Sequence, residues 1–432
     1  MSVVARLLAD TTPLKNKNFS RLWWANIVTV IGAQLTVVAV PAQIYAMTGS
    51  SAYVGLTGVF GLVPLVVFGL WGGALADTFD RRRILMVTTV GLIATSVLFW
   101  VQAAADWNNV WILLCVFSLQ QAFFAVNQPT RTAVLPRILE KHELPAANSL
   151  NMTVMQAGAI AGPLVGGALI PVLGFSMLYL VDAIFLFATL WAVIALPALP
   201  PLLPEGQKPK TPGLKSVVDG LVYLKTQPVL LMSFVVDLIA MIFGMPRALF
   251  PQMAHEDFGG PSDGGVAFAL LFIAIPLGAV VGGVLSGWVS RVERQGRAVV
   301  LCILVWGLSI TVSGGLLLFA NGSPLPVLPL VVVALMVGGA ADMASAAFRQ
   351  TMLQSAANDD VRGRLQGVFI VIVAGGPRIA DVAHGGAAAV AGTATAVAGG
   401  GILTVIGTVV AALAVPAFWR YRVSLRENDV RP

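Results

Sequence analysis

The sequence predicts an all-α membrane protein with twelve transmembrane helices arranged as two pseudo-symmetric six-helix bundles. Three observations carry that prediction. Apolar residues make up 57% of the 432 positions and charged residues only 11%, with a mean hydropathy of +0.87, a balance too apolar for a soluble chain of this length. The apolar residues fall into twelve runs of about 20 residues, which suits helices crossing about 30 Å of hydrocarbon, whereas barrel strands would show short alternating segments. Lys and Arg, finally, gather in every second segment between the runs, as the positive-inside rule requires of a multi-pass chain.

In order, the runs are 19–46, 53–76, 83–104, 110–126, 150–172, 175–196, 229–250, 266–289, 298–320, 325–348, 365–391 and 396–419. The first is too long for a signal-peptide core and no small-residue cleavage site follows it, so it is expected to remain as span one. With that span running outward, the inner segments hold Arg6, Lys15, Lys17 and Arg21 ahead of it, Arg81, Arg82 and Arg83 after span two, and Arg131, Arg137 and Lys141 after span four. Lys208, Lys210, Lys215 and Lys225 follow span six, Arg291, Arg294 and Arg297 span eight, Arg349, Arg362 and Arg364 span ten, and Arg420, Arg422, Arg426 and Arg431 span twelve. Only Arg247 and Arg378 fall elsewhere, so both termini are expected in the cytoplasm, and a bacterial inner membrane is the simplest address.

The Pro-rich stretch 197–208 marks a stiff, polar break. It gives three expected parts: a bundle over 1–197, a cytoplasmic linker over 198–227, and a second bundle with a cytoplasmic tail over 228–432. Within the linker, Leu214, Val217, Val218, Leu221, Val222 and Leu224 alternate with Lys215, Asp219 and Lys225 at helical spacing, which predicts a short helix lying on the membrane surface. The two bundles echo each other: Gly73-Ala-Leu-Ala-Asp77 pairs with Gly287-Trp-Val-Ser-Arg291, and Arg131 to Pro136 with Gln350 to Gln354, at nearly one offset.

Several functions are excluded by what the sequence contains. The pI of about 9.6 reflects topology, and no basic stripe serves nucleic acid. Cys115 and Cys302 lie in apolar runs and the three histidines are scattered, so no disulfide framework, metal site or cofactor is expected. A membrane enzyme would need a clustered nucleophile, metal or acid-base site near the surface, an alternative that the charges of span eleven do not by themselves exclude.

Span eleven carries the most charge. Arg378, Asp381 and His384 stand three residues apart on one helical face, after Gly375, Gly376 and Pro377. An unpaired charge at the bilayer centre costs about 2.5–3.5 kcal/mol on insertion scales, so Arg378 and Asp381 are expected to pair or to face water. One reading makes Arg378 the anchor of an anionic or catechol-like substrate, Asp381 its proton-sensitive counter-ion and His384 a relay; the other makes them a structural pair. Asp237 and Asp342, deep in spans seven and ten, are further candidates for the coupling acid. Asp182 and Arg247 sit nearer the outer ends of their spans, where snorkelling is an adequate explanation and a functional role the alternative. Gln34, Gln120, Gln121, Asn127 and Gln156 offer either substrate contacts or interhelical hydrogen bonds.

Two motifs point to a family. Gly73-x-Leu75-Ala76-Asp77-x-x-Asp80-Arg81-Arg82-Arg83 resembles the loop motif of the major facilitator superfamily, and Gly158-x-x-x-Gly162-Pro163-x-x-Gly166-Gly167 is similar to the motif of its antiporter branches. Longer stretches, among them 39–49, 144–150, 274–283 and 351–354, resemble siderophore exporters of the enterobactin type and their drug-exporting relatives. The resemblance implies a monomer in the lipid bilayer that exports a siderophore or similar amphipathic small molecule, driven by protons. It also implies a gate in which Gly73 and Asp77, with Asp80, Arg81 and Arg131, lock the cytoplasmic side. A multidrug:proton antiporter shares the same motifs; a small-solute uptake carrier and a membrane enzyme are more distant alternatives. The motif departs from the superfamily at Thr78 and Asp80, and Gly32-Ala33 is neutral where many drug:proton antiporters carry an acid.

Overall fold

The computed structural model describes residues 11–140, 142–200, 222–356 and 359–422; the side chains of 70–74, 76–78, 290, 354–356 and 359–374 lie outside the description. Its long helices are α1 Lys17–Thr48, α2 Ser51–Thr78, α3 Arg81–Ala104, α4 Val110–Ile138, α5 Leu144–Ile194, α6 Pro228–Phe243, α7 Val266–Val284, α8 Gln295–Leu317, α9 Val327–Ala356, α10 Asp359–Ala391 and α11 Thr393–Ala414. Ten helices among the described residues are long and apolar enough to cross a membrane. Two further segments have the length for a crossing. Gly174 takes φ 73° and ψ 167° within α5, so that its 51 residues form two limbs, each long enough to span. At 33 residues α10 also has the length, about 50 Å at 1.5 Å per residue.

Sequence chemistry explains the helix ends. The Asp80 carboxylate caps α3 by accepting from the Arg82 amide, and the Asn109 side chain caps α4 by accepting from the amides of Trp111 and Ile112. Internal prolines such as Pro41, Pro64, Pro163 and Pro377 persist because neighbouring helices can satisfy the backbone groups they free. The seventh apolar run, expected to reach residue 250, instead stops as a helix at Phe243. Gly244 and Pro246 end it, and a 3-10 turn Arg247–Leu249 follows, leading into a π-helical turn Met253–Asp257. Likewise the eighth run narrows from α7 into a 3-10 helix, Ser286–Arg291.

The chain divides into two compact units. The first comprises Met1–Thr48, Phe60–Gly213 and Asp263–Ala269; the second comprises Gly49–Val59, Leu214–Ser262 and Leu270–Pro432. At one end of the first unit, Leu22 and Ala25 of α1 pack with Leu85, Val134, Ala192, Val193 and Leu196, a cluster continued by Phe19, Leu135, Leu139, Ala147 and Leu150. Outward-facing positions are equally apolar: Val390 is 92% exposed and Leu413 73%. Such a surface would drive aggregation in water and suits lipid. Of the expected interfacial helix at 214–225, only its last residues are described, and Val222–Lys225 are helical; 201–221 lie outside the described residues.

Candidate functional site

Two ionic clusters lie inside the second unit. In α9, Asp342, Ser345 and Arg349 follow the i, i+3, i+7 spacing that places them on one face. Arg349, only 6% exposed, forms an ion pair with Asp237 of α6, and its Nη2 lies 3.9 Å from Asp342 Oδ1. Its Nε donates to the Ser345 carbonyl at 3.4 Å. One guanidinium therefore serves two carboxylates, and the planar fork of arginine suits that bridging better than a lysine point charge would.

The second cluster joins the turn after α6 to α10. Because Gly244 and Pro246 stop α6, the chain bends and Arg247 reaches Asp381: its Nη2 donates to Asp381 Oδ2 at 2.9 Å. Asp381 is 2% exposed and Arg247 34%, so the pair is sealed on the acid's side and open on the guanidinium's. Asp381 Oδ1 is buried without a hydrogen bond. Arg378 lies one turn away and is half-buried. Gly55 and Gly58 of α2 face the main chain of Asp381 and Arg378 so closely that a β-carbon at either would collide with their carbonyls. His384 Nε2 sits 3.0 Å from the Phe243 carbonyl, an arrangement that requires the proton on Nε2. Gly400 of α11 leaves room for this ring.

The expectations for these residues therefore change in detail. Asp381 pairs with Arg247, a partner the sequence did not point to, while Arg378 stands one turn away on the same helix. Snorkelling is thus not needed to explain Arg247. Asp237 and Asp342, read as separate acids, share Arg349. That arginine was the residue missed, because the positive-inside count assigned it to a cytoplasmic segment; its spacing from Asp342 was the available signal.

The first unit holds a different polar core. Asp182, on the second limb of α5, is 1% exposed, and its Oδ2 accepts from the Thr36 hydroxyl of α1 and the Ser96 hydroxyl of α3, both at 2.8 Å. Oδ1 accepts no hydrogen bond and lies against Gly32, where an added β-carbon would come within 2.7 Å of it. The neutral Gly32 of span one thus abuts an acid supplied by span six, and Asp182 is buried rather than snorkelling. One turn earlier, the Tyr179 hydroxyl donates to Gln43 Oε1 at 2.8 Å, Gln43 and Gln102 pair, and the Tyr179 ring stacks on Phe99 at 5.0 Å. Asn127 donates to Thr88 at 2.8 Å and so acts as interhelical glue.

The glycine motif brings α5 onto α1. β-Carbons at Gly158, Gly162 and Gly166 would press on Val30, Gln34 and Leu35 respectively, and one at Gly167 would press on Ala269. Pro163 is buried between them. Gln34 is half-buried against Gly162, Gln120 and Gln121 are half-buried, and Gln156 is exposed.

The loop motif is partly described. Gly73 and Asp77 lie in α2, but their side-chain surroundings fall outside the described residues. Asp80 Oδ1 accepts from the amides of Arg82 and Leu199, at 2.8 and 3.2 Å. Arg81 and Arg131, expected as partners of Asp77, donate to the carbonyls of Ala133 and Leu22, and Arg82 donates to that of Ile194 at the end of α5. Of these carbonyls that of Ile194 ends its helix, where a cation is favourable.

Comparison with known proteins adds relatives to this geometry. The family described as transmembrane secretion effector matches residues 9–426. The enterobactin exporter EntS of Escherichia coli O1:K1 is 28% identical over 404 residues, covering 90% of each chain, and its counterpart in Shigella boydii serotype 18 matches equally. Among solved structures, a mutant of the peptide transporter POT in complex with alafosfalin aligns with a TM-score of 0.76 at 13% identity, over 99% of this chain and all of that one. A mutant of the nucleoside transporter NupG aligns at 0.72 and 14%, over 93% and 99%. At such identities the solved structures speak for the fold alone.

Proposed function

The chain belongs to the transmembrane secretion effector family and is a multi-pass membrane transporter, and from that premise we propose that it exports a siderophore or similar amphipathic metabolite by proton-coupled alternating access. Its two six-helix halves, 1–197 and 228–432, would rock about the linker at 198–227 in a bacterial inner membrane, with both termini cytoplasmic. The observation that carries the reading is the buried Arg247–Asp381 pair beside Arg378. Ionisable groups inside membrane helices are costly and concentrate where substrates and ions pass. Kinship with an enterobactin exporter supports export and the siderophore class.

In this scheme Arg247 and Arg378 anchor acidic or catechol oxygens. Asp381 is the resident counter-ion that an anionic substrate replaces. Protonating Asp381 and binding the anion at Arg247 favour each other, so this pair alone would move both in the same direction. Antiport needs another acid that is protonated on the opposite leg of the cycle. Hydrogen bonds to a charged partner contribute about 1.5–3 kcal/mol. Arg247→Ala is therefore expected to weaken enterobactin binding by about ten- to a hundredfold, whereas Asp381→Asn, which removes the competing anion, is expected to tighten it. Calorimetric titration of the purified protein with enterobactin checks both signs, and equal affinities in all three proteins would remove the pair from the substrate site.

A further inference from the structure

Asp182 is surrounded in a way that the substrate site does not explain. Both donors that reach it, Thr36 and Ser96, are neutral hydroxyls, and both converge on Oδ2 at 2.8 Å. Oδ1 is buried against Gly32 with no donor at all. An ionised carboxylate spreads its charge over two oxygens and calls for donors on each, and in a low-dielectric interior it calls for a cation. Among the described residues Asp182 has neither a donor on Oδ1 nor a cation. Of the elements packed on it, α1 presents Gly32 and Thr36 and α3 presents Ser96, none of them ionisable. On its own helix the nearest titratable side chain is Tyr179, whose hydroxyl is engaged with Gln43. Burial without a cation suits a neutral acid, with Oδ2 as the carbonyl oxygen accepting two bonds and the proton on Oδ1, which has no hydrogen-bond partner among the described residues.

From this geometry we infer that Asp182 is a proton-binding site inside the first unit, holding a proton in the buried conformation described and releasing it when helix movement during transport admits water to the carboxyl. The ligand is a proton, and the site is separate from the Arg247–Asp381 pair. Its release step rests on the proton-coupled reading above, but its occupancy does not. Burial favours the neutral acid, whereas the Thr36 and Ser96 hydroxyls on Oδ2 would steady the carboxylate once formed, so a movement of α1 against α3 that lets water reach Oδ1 would lower the acid's affinity for its proton.

Infrared spectroscopy of the full-length protein in liposomes tests occupancy without any substrate. At neutral pH the wild type should show a protonated-carboxyl C=O band that is absent in Asp182→Asn and displaced in Thr36→Val and Ser96→Ala. Identical carboxyl bands in wild type and Asp182→Asn would overturn the site. Flux then tests release, with enterobactin as the probe in the same liposomes. A pH gradient should accelerate wild-type flux several-fold and leave Asp182→Asn indifferent, with Asp182→Glu restoring part of the response. An Asp182→Asn protein that responds like wild type overturns the release step, and so does one that loses all flux without rescue by Asp182→Glu, because the role is then structural. A wild type indifferent to the gradient defeats the coupled reading itself and the release step with it, while the band still decides whether Asp182 holds a proton.

Discussion

The two units bury acids by opposite means. In the first, the donors that reach Asp182 among the described residues are hydroxyls, and one of its oxygens has none. In the second, Asp237 and Asp381 each face a guanidinium. Physical chemistry allows both solutions, since a carboxyl removed from water either stays neutral or acquires a cation. The proposal gives them separate tasks: arginine-paired acids would hold geometry and compete with anions, whereas an acid without a cation would gain and lose a proton with little loss of ion pairing.

That contrast yields predictions of decreasing size. Arg349→Ala leaves Asp237 and Asp342 without their shared cation, and breaking a buried pair costs about 3–5 kcal/mol. Thermal melting in detergent should show a large drop, smaller for Arg349→Lys, and an unchanged melting temperature would show that the ion-paired unit does not depend on its arginine. The first unit depends instead on close helix approach. Gly162→Val pushes a side chain into Gln34 and should cost about 1–3 kcal/mol by overpacking, read from the same melts. Arg247→Ala should cost less, about 1–2 kcal/mol, because Arg247 is 34% exposed and partly screened by its surroundings. Asp182→Asn keeps size and a carbonyl oxygen for Thr36 and Ser96, so its cost should stay below about 1 kcal/mol. If it destabilises as much as Arg349→Ala, Asp182 is ionised and the contrast between the units collapses.

The fold was legible because hydropathy and charge placement are one-dimensional signals: the apolar runs and the alternating Lys and Arg segments follow from bilayer thickness and insertion alone. The Gly158 to Gly167 motif was legible too, since small residues four apart make a flat helix face whatever its partner. Pairing across helices was not. Arg349 looked like a cytoplasmic anchor because counting charges ignores the face on which they lie, and Arg247 looked like a snorkelling residue because nothing local says that Gly244 and Pro246 turn it toward Asp381. Asp182 was placed by its depth along a span, but its character comes from Thr36 and Ser96, which are 146 and 86 residues away in sequence.

The central claim is exchange of substrate for protons, and simultaneous recording of both fluxes tests it most directly. Purified protein in liposomes, loaded with a pH-sensitive dye and given enterobactin, should move protons against each enterobactin flux and should accumulate enterobactin on the acidic side when a gradient is imposed. Enterobactin movement with no accompanying proton movement, at any imposed gradient, would contradict the account.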